Sequence, residues 1–154
     1  MDALAGRIAQ LLTQRKETLA VAESSAGGLI NAALVAVPGA SAFYLGGCIV
    51  YTGASRVGFL SIANMKGMRS ATEPYAQLAA QRVREKLGAM WGVCETGASG
   101  PTGNRYGDAA GHACLAVSGP VEKVITLETR SADREANMRV FSQRALELLE
   151  SCLR

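Results

Sequence analysis

The sequence predicts an α/β protein: a three-layer α/β/α sandwich around a mixed, mostly parallel sheet. Three observations predict it. Short β-prone runs alternate with stretches whose apolar residues recur at helical spacing, in the order α-β-α-β-α-β-β-β-α. The last two strand runs are separated only by Gly119-Pro120 and read as a hairpin, which adds an antiparallel piece. The alternation runs without linker, repeat or low-complexity tract, so residues 1–154 are expected to form one domain.

Each element has its own local justification. Asp2 is placed to cap a first helix whose apolar residues Leu4, Ile8, Leu11 and Leu12 share one face. TLAVAE (18–23) is a β-prone run, and the helix that follows over about 27–37 is ended by Pro38-Gly39. YLGGCIVY (44–51) is the second strand, where Gly46-Gly47 suggests a bulge or a close approach to the backbone. Thr72 caps the next helix, Pro74 sits in its first turn, and Gly88 closes it. WGVCET (91–96) is the third strand, followed by a glycine-rich loop over 97–111 and then the hairpin runs HACLAVSG and VEKVITLE. Ser131 caps a final helix that carries Met138, Phe141, Ala145, Leu148, Leu149 and Cys152 on one side.

Composition narrows the function. A chain of 154 residues buries roughly two thirds of the surface its unfolded form exposes. With 49% hydrophobic and 19% charged residues it has the composition of an ordinary globular protein. No apolar run reaches the about 18 residues of a membrane span, and the N-terminus lacks a charged and then apolar leader, so a cytoplasmic protein without membrane contact is expected. Cys48, Cys94, Cys114 and Cys152 are widely spaced without a C-x-x-C pair, and His112 is the only histidine. That argues against a metal site, a disulfide framework and a histidine triad, and leaves His112 as a hydrogen bonder at the end of a strand. The net charge of +3 is scattered, with Arg82, Arg84 and Lys86 interrupted by Glu85, which fits a solvated helix face better than a nucleic-acid groove.

Ligands of open α/β sheets bind beyond the carboxyl ends of the parallel strands. Three segments converge there: 24–28, 51–56 and 97–111. Gly27 and Gly28 begin a helix, whose free N–H groups can hold a phosphate or an oxyanion. Ser24 and Ser25 have two possible uses, helix cap and nucleophile, and a cap needs only one of them. A serine nucleophile needs a proton acceptor, for which Tyr51 beside Arg56 is a candidate, since a cation next to a phenol favours the phenolate. Their plain alternative is a half-buried strand end and a surface cation. The third loop has five glycines, and its Arg105 offers a fork for a carboxylate or phosphate. It carries neither the Gly-Lys-Ser/Thr of a P-loop nor a dinucleotide fingerprint, so ATP hydrolysis and hydride transfer lose support.

TLAVAESSAGGLINAAL, VPGASAFYLGGCIVYT and TGASGPTG, in this order and at these intervals, resemble the three signature stretches of the CinA carboxy-terminal domain family, the nicotinamide-nucleotide amidohydrolases. The resemblance runs over about 11–149. It implies deamidation of nicotinamide mononucleotide to nicotinate mononucleotide and ammonia in a pyridine-nucleotide salvage route. It also implies no metal or redox cofactor, a three-layer α/β/α fold and a homo-oligomer. The family's catalytic serine falls on Ser24, its tyrosine on Tyr51, and its lysine on Arg56. Ser25, Gly27 and Gly28 then become the cap and the oxyanion or phosphate cradle. Glu23, Gly46, Thr96, Gly100, Gly103, Asn104 and Arg105 take substrate-binding positions.

The departures carry information. Where the family commonly reads E-S-C-T-G-G, this chain has Ser25 and Ala26. A guanidinium keeps its charge at any workable pH, so Arg56 cannot replace a lysine base. Two substitutes are open: Tyr51 as a phenolate kept charged by Arg56, or Lys66 folded back into the site. Asp108-Ala109-Ala110-Gly111 stands where the family usually has Lys-Pro-Val-Gly, which implies altered substrate choice unless Arg105 compensates. The alternative to an enzyme is a member of the same family that binds or senses a nucleotide with weak turnover or none. A nucleic-acid or protein-interaction domain is a third class, against which the scattered charge weighs.

Overall fold

The computed structural model describes residues 1–154. Along the chain run α1 (Asp2–Arg15), β1 (Leu19–Glu23), α2 (Leu29–Val35), β2 (Tyr44–Ile49), α3 (Gly53–Leu60), α4 (Glu73–Leu87), β3 (Trp91–Ala98), β4 (His112–Ser118), β5 (Lys123–Glu128) and α5 (Arg134–Leu153), with a short 3-10 turn at Ala40–Ala42. The strands form one mixed sheet in the order β2-β1-β3-β4-β5. β1 lies parallel to β2 and β3, while β3–β4 and β4–β5 are antiparallel.

Alternation along the central strands divides their side chains between two cores. Leu19, Val21, Trp91, Val93, Leu115 and Val117 pack against α1, α2 and α5. Ala20, Ala22, Cys94, Cys114 and Ala116 face the other way, under α4 and the end of α3. Small residues on this second face let α4 approach the sheet closely. A Cβ on Gly92 would stand 2.1 Å from the Ala80 carbonyl oxygen, which leaves glycine as the residue that fits. Both faces being covered, β1 and β3 read as continuous apolar runs. No helix is long and apolar enough to cross a membrane.

Several local expectations need correction. Met1, not Asp2, occupies the N-cap of α1, and Asp2 is its first helical residue. α5 is capped by Asp133, whose carboxylate accepts from the Ala136 N–H, while Ser131 stands two residues earlier and accepts from the Asp133 N–H. Thr72 holds the N-cap position of α4, but its hydroxyl donates to the Arg69 carbonyl instead of accepting from the first turn. β3 runs on to Ala98, so the third loop begins at Ser99. Residues 53–60, expected as part of a loop, form α3, which starts with a reciprocal Thr52–Ser55 capping box. Gly53 and Gly58 weaken the helical signal there, and serine stands where Glu or Gln would advertise the box.

Because β1, β2 and β3 are parallel, their carboxyl ends lie at one edge of the sheet. Ser24, Tyr51 and the 99–111 loop meet there, as expected for this class of fold.

Candidate active site

The turn after β1 is built on two buried carboxylates. Glu23, 0% exposed, ends β1 and reaches forward to α2. Its Oε1 accepts from the Gly28 and Ile30 amides at 2.7 and 3.3 Å, and its Oε2 accepts from the Asn31 amide and Asn31 Nδ2 at 2.8 and 2.6 Å. An acceptor is needed there because the first amides of a helix have no intrahelical partner. The N-cap position belongs to Gly28, with a left-handed φ of 105°. Ser25 is therefore not the cap. The Gly28 amide is spent on Glu23 and the Gly27 amide on the Ser24 carbonyl, so these glycines are no free anion cradle. Nor is Glu23, sealed from solvent, a substrate contact.

Glu95, on β3, organises the other half of the turn, and sequence reasoning missed it. Its Oε1 accepts from the Ser24 and Ala26 amides at 2.9 and 2.7 Å, and its Oε2 accepts from the Ser25 hydroxyl at 2.5 Å. Burial pushes the Glu95 carboxyl up, these three hydrogen bonds pull it down, and neighbouring Glu23 pushes it up again; the net result lies above the usual carboxylate range. The available signal was a glutamate inside the apolar run WGVCET, since such a residue is almost never fully buried unless paired.

Beyond this turn opens a cleft of about 480 Å³, lined by Ser24, Tyr51, Arg56, Thr96, Asn104 and Arg105 among others. It brings together six of the residues singled out from sequence, and no carboxylate lines it. An adjoining cavity of about 210 Å³ shares Tyr51, Gly97 and Asn104 with it and adds Ser25, Gly100, Gly103 and Arg134. Gly46 lines neither. It follows a register irregularity on β2, and the close approach suspected at this pair is made by Asn31, whose Oδ1 would lie 2.0 Å from a Cβ on Gly47.

The expected partnership of Tyr51 with Arg56 is replaced by one with Arg134, the first residue of α5. Tyr51 is 59% exposed, and its hydroxyl accepts from Arg134 Nη2 at 2.8 Å, while Arg134 Nη1 donates to the Gly100 carbonyl. Arg134 thus ties the end of β2 to the third loop. Arg56 instead donates through Nε to the Ile62 carbonyl at 3.0 Å. Lys66 lies outside the cleft, on a separate cavity with Ile62 and Asn64, and is not a stand-in base. The Ser24 hydroxyl has no hydrogen-bond partner in the protein, while its amide is held by Glu95. Asp108 faces Arg69 at 2.7 Å, so the charge of Arg105 in the cleft is not opposed by that carboxylate.

His112 anchors the cleft wall, as a strand-end hydrogen bonder. Its Nε2 lies 2.8 Å from the carbonyl of cleft-lining Ala71, and its Nδ1 faces the Glu128 carboxylate. Both partners are acceptors, the arrangement of an imidazolium. Burial lowers His112, but the bonds to Glu128 and Ala71 and the charge of Asp108 raise it more, so it lies above its ordinary value of 6.5. A raised histidine contributes stability that is complete below about pH 6.5 and lost as pH rises through its folded value. Glu150, drawn to about 2 by Arg7 and Arg154, and Asp108, held low by Arg69, act only in the acid range. The urea midpoint is therefore expected to fall as pH rises from about 6.5, and His112→Gln is expected to flatten that slope.

The family model of the CinA C-terminal domain matches residues 1–153. CinA-like proteins from Gloeobacter violaceus and Prochlorococcus marinus are 36% and 38% identical to this chain, over 96% and 77% of its length. The matches take in 36% and 28% of those proteins, so the chain spans about a third of the length of these curated relatives. Among solved structures, a CinA superfamily protein from Klebsiella pneumoniae aligns with a TM-score of 0.92 at 24% identity, covering 99% of this chain and 96% of that one. A competence or damage-inducible protein from Enterobacter asburiae gives 0.91 at 25% identity, covering 98% and 96%. With residues 1–153 matched by the family model and 36% identity to a CinA-like relative over 96% of its length, the chain belongs to the CinA C-terminal domain family.

Proposed function

We propose that the protein is a serine-dependent amidohydrolase that deamidates nicotinamide mononucleotide, or a related nucleotide amide, to the nucleotide acid and ammonia. The observation that carries this reading is one cleft holding an unpartnered serine hydroxyl, a tyrosine and two guanidiniums, with no carboxylate on its wall. Such a lining suits an anionic substrate, and Arg56 and Arg105 offer forks for its phosphate.

In this mechanism the Ser24 oxygen attacks the amide carbonyl carbon. The Ser24 proton passes to the Tyr51 oxygen while the Tyr51 proton moves to the amide nitrogen, so Tyr51 acts as a relay held in place by Arg134. The carbon–nitrogen bond breaks, ammonia leaves, and an ester to Ser24 remains. One water then attacks that ester with the relay reversed, which releases the acid and restores the serine. Every atom of the products comes from the amide and that water. In the same reading the protein works in the cytoplasm and self-associates; the free edge of β2, with exposed Leu45 and Ile49, is in keeping with the latter.

The test is ammonia release from nicotinamide mononucleotide by the purified protein. Arg134→Ala is expected to lower kcat by about 10- to 100-fold with a smaller change in KM, because it frees the relay and leaves Arg56 and Arg105 in place. Calorimetric binding of the nucleotide without ammonia release would replace the enzyme with a nucleotide-sensing module. That second reading draws on the absence of any histidine or carboxylate from the cleft wall.

A further inference from the structure

Between Ser24 and Asn31 one amide is left without an acceptor. The Ser24 and Ala26 amides go to Glu95, and those of Gly28, Ile30 and Asn31 go to Glu23. Gly27 and Leu29 donate to the carbonyls of Ser24 and Ala26. Only the Ser25 N–H has no partner, although its residue is buried. It precedes α2 and belongs to the turn.

The position of this amide matters chemically. Attack by a serine on an amide places negative charge on the former carbonyl oxygen, and the donor nearest to hand is the amide of the residue after the nucleophile. Here that residue is Ser25. Glu95 holds the amides on either side of it, and also binds the Ser25 hydroxyl at 2.5 Å, which keeps that second hydroxyl turned toward the sheet and out of the large cleft. Glu95 reaches across from another strand, so the turn's shape depends on a residue 71 positions away.

We propose that Glu95 is a positioning residue: by fixing the amides of Ser24 and Ala26 it presents the Ser25 N–H as the oxyanion donor of the site. The proposal rests on Ser24 being the nucleophile. The role of Glu95 is geometric, because its negative charge by itself opposes an oxyanion nearby. A glutamine, which keeps the shape and loses the charge, therefore retains much of the function, and an alanine does not.

The experiment uses pyridine-3-boronic acid, which forms a tetrahedral adduct on a nucleophilic serine, with amide signals followed by NMR on the whole chain. In the free protein the Ser24, Ala26 and Gly28 amides are expected to exchange slowly with solvent and the Ser25 amide faster. Adduct formation is expected to shift the Ser25 proton downfield and slow its exchange. Glu95→Ala is expected to weaken the adduct, and to lower kcat for ammonia release, by about 100-fold with KM within about threefold, the size of effect seen when one oxyanion donor is lost. Glu95→Gln is expected to stay within about tenfold of the wild type.

A merely structural role would instead lower activity in proportion to the folded fraction and leave the Ser25 shift on adduct formation intact. An adduct that leaves the Ser25 amide unmoved overturns the proposal alone, and it does so in the wild type even if Glu95→Ala does not fold. Failure of any adduct to form on Ser24 overturns both the proposal and the nucleophile it rests on. A Ser25 shift together with a weakened adduct in Glu95→Ala, in a protein that releases no ammonia from nicotinamide mononucleotide, supports the proposal and overturns only the deamidation of that nucleotide.

Discussion

Ser24→Ala is expected to lower kcat for ammonia release from nicotinamide mononucleotide by about 10⁴-fold or more, the scale on which serine hydrolases lose activity with their nucleophile. The structure makes this a clean substitution. Both Ser24 hydrogen bonds within the turn are made by its backbone: its amide donates to Glu95 and its carbonyl accepts from the Gly27 amide. The hydroxyl itself touches no polar partner, so its removal leaves no orphaned group. Stability is expected to stay within about 0.5 kcal/mol of the wild type. Nucleotide affinity, read by calorimetry, is expected to hold as well, since Arg56 and Arg105 are untouched. Turnover that survives this change would end the serine mechanism, whatever the substrate.

The fold was legible because the strongest signals are local. β1 and β3 are buried on both faces and advertise it as apolar runs, and the hairpin is marked by Gly119-Pro120. Parallel pairing then places Ser24, Tyr51 and the third loop at one edge. That edge singles out Ser24, Tyr51, Arg56 and Arg105, and the family resemblance adds Thr96 and Asn104, which makes six residues of the cleft legible in the sequence. What escaped were interactions across long separations. Arg134 meets Tyr51 across 83 positions, and Glu95 meets the Ser24 amide across 71. Arg56, five residues from Tyr51, was the nearer cation along the chain, but α3 turns its guanidinium toward the Ile62 carbonyl.

The helix cap failed for a related reason. Capping rules inspect the residues at the start of a helix, and Ser25 looked suitable. A carboxylate from the preceding strand does the same work better, because it accepts several amides at once. The two serines are thereby released from capping, one to bind Glu95 and the other to face the cleft. The catalytic reading of Ser24 and the stability of α2 are thus set by different residues.

That separation makes Glu23→Ala the substitution with the largest expected effect on stability. It removes the acceptor of the Gly28, Ile30 and Asn31 amides and of Asn31 Nδ2 at a position 0% exposed to water. A buried donor left unpaired costs about 1–3 kcal/mol, and water entering the vacated space recovers part of it. The net loss is expected to be about 3–5 kcal/mol, because four donors lose their acceptor together. At about 2–4 °C per kcal/mol for a chain of this size, Tm falls by about 6–20 °C. Glu23→Gln is expected to cost about half as much. Its remaining oxygen can stay on Gly28 and Ile30, and a flip of Asn31 presents Oδ1 to the new amide while the Tyr44 hydroxyl accepts from Nδ2. The Asn31 backbone amide then stays orphaned. Loss of the Glu23 charge also removes one of the influences that push Glu95 up, so the Glu95 carboxyl is expected to move toward its ordinary range in either variant. Urea unfolding at pH 7 with an unchanged m-value measures these losses, and a Glu23→Ala midpoint equal to the wild type would mean that α2 draws its stability from packing alone.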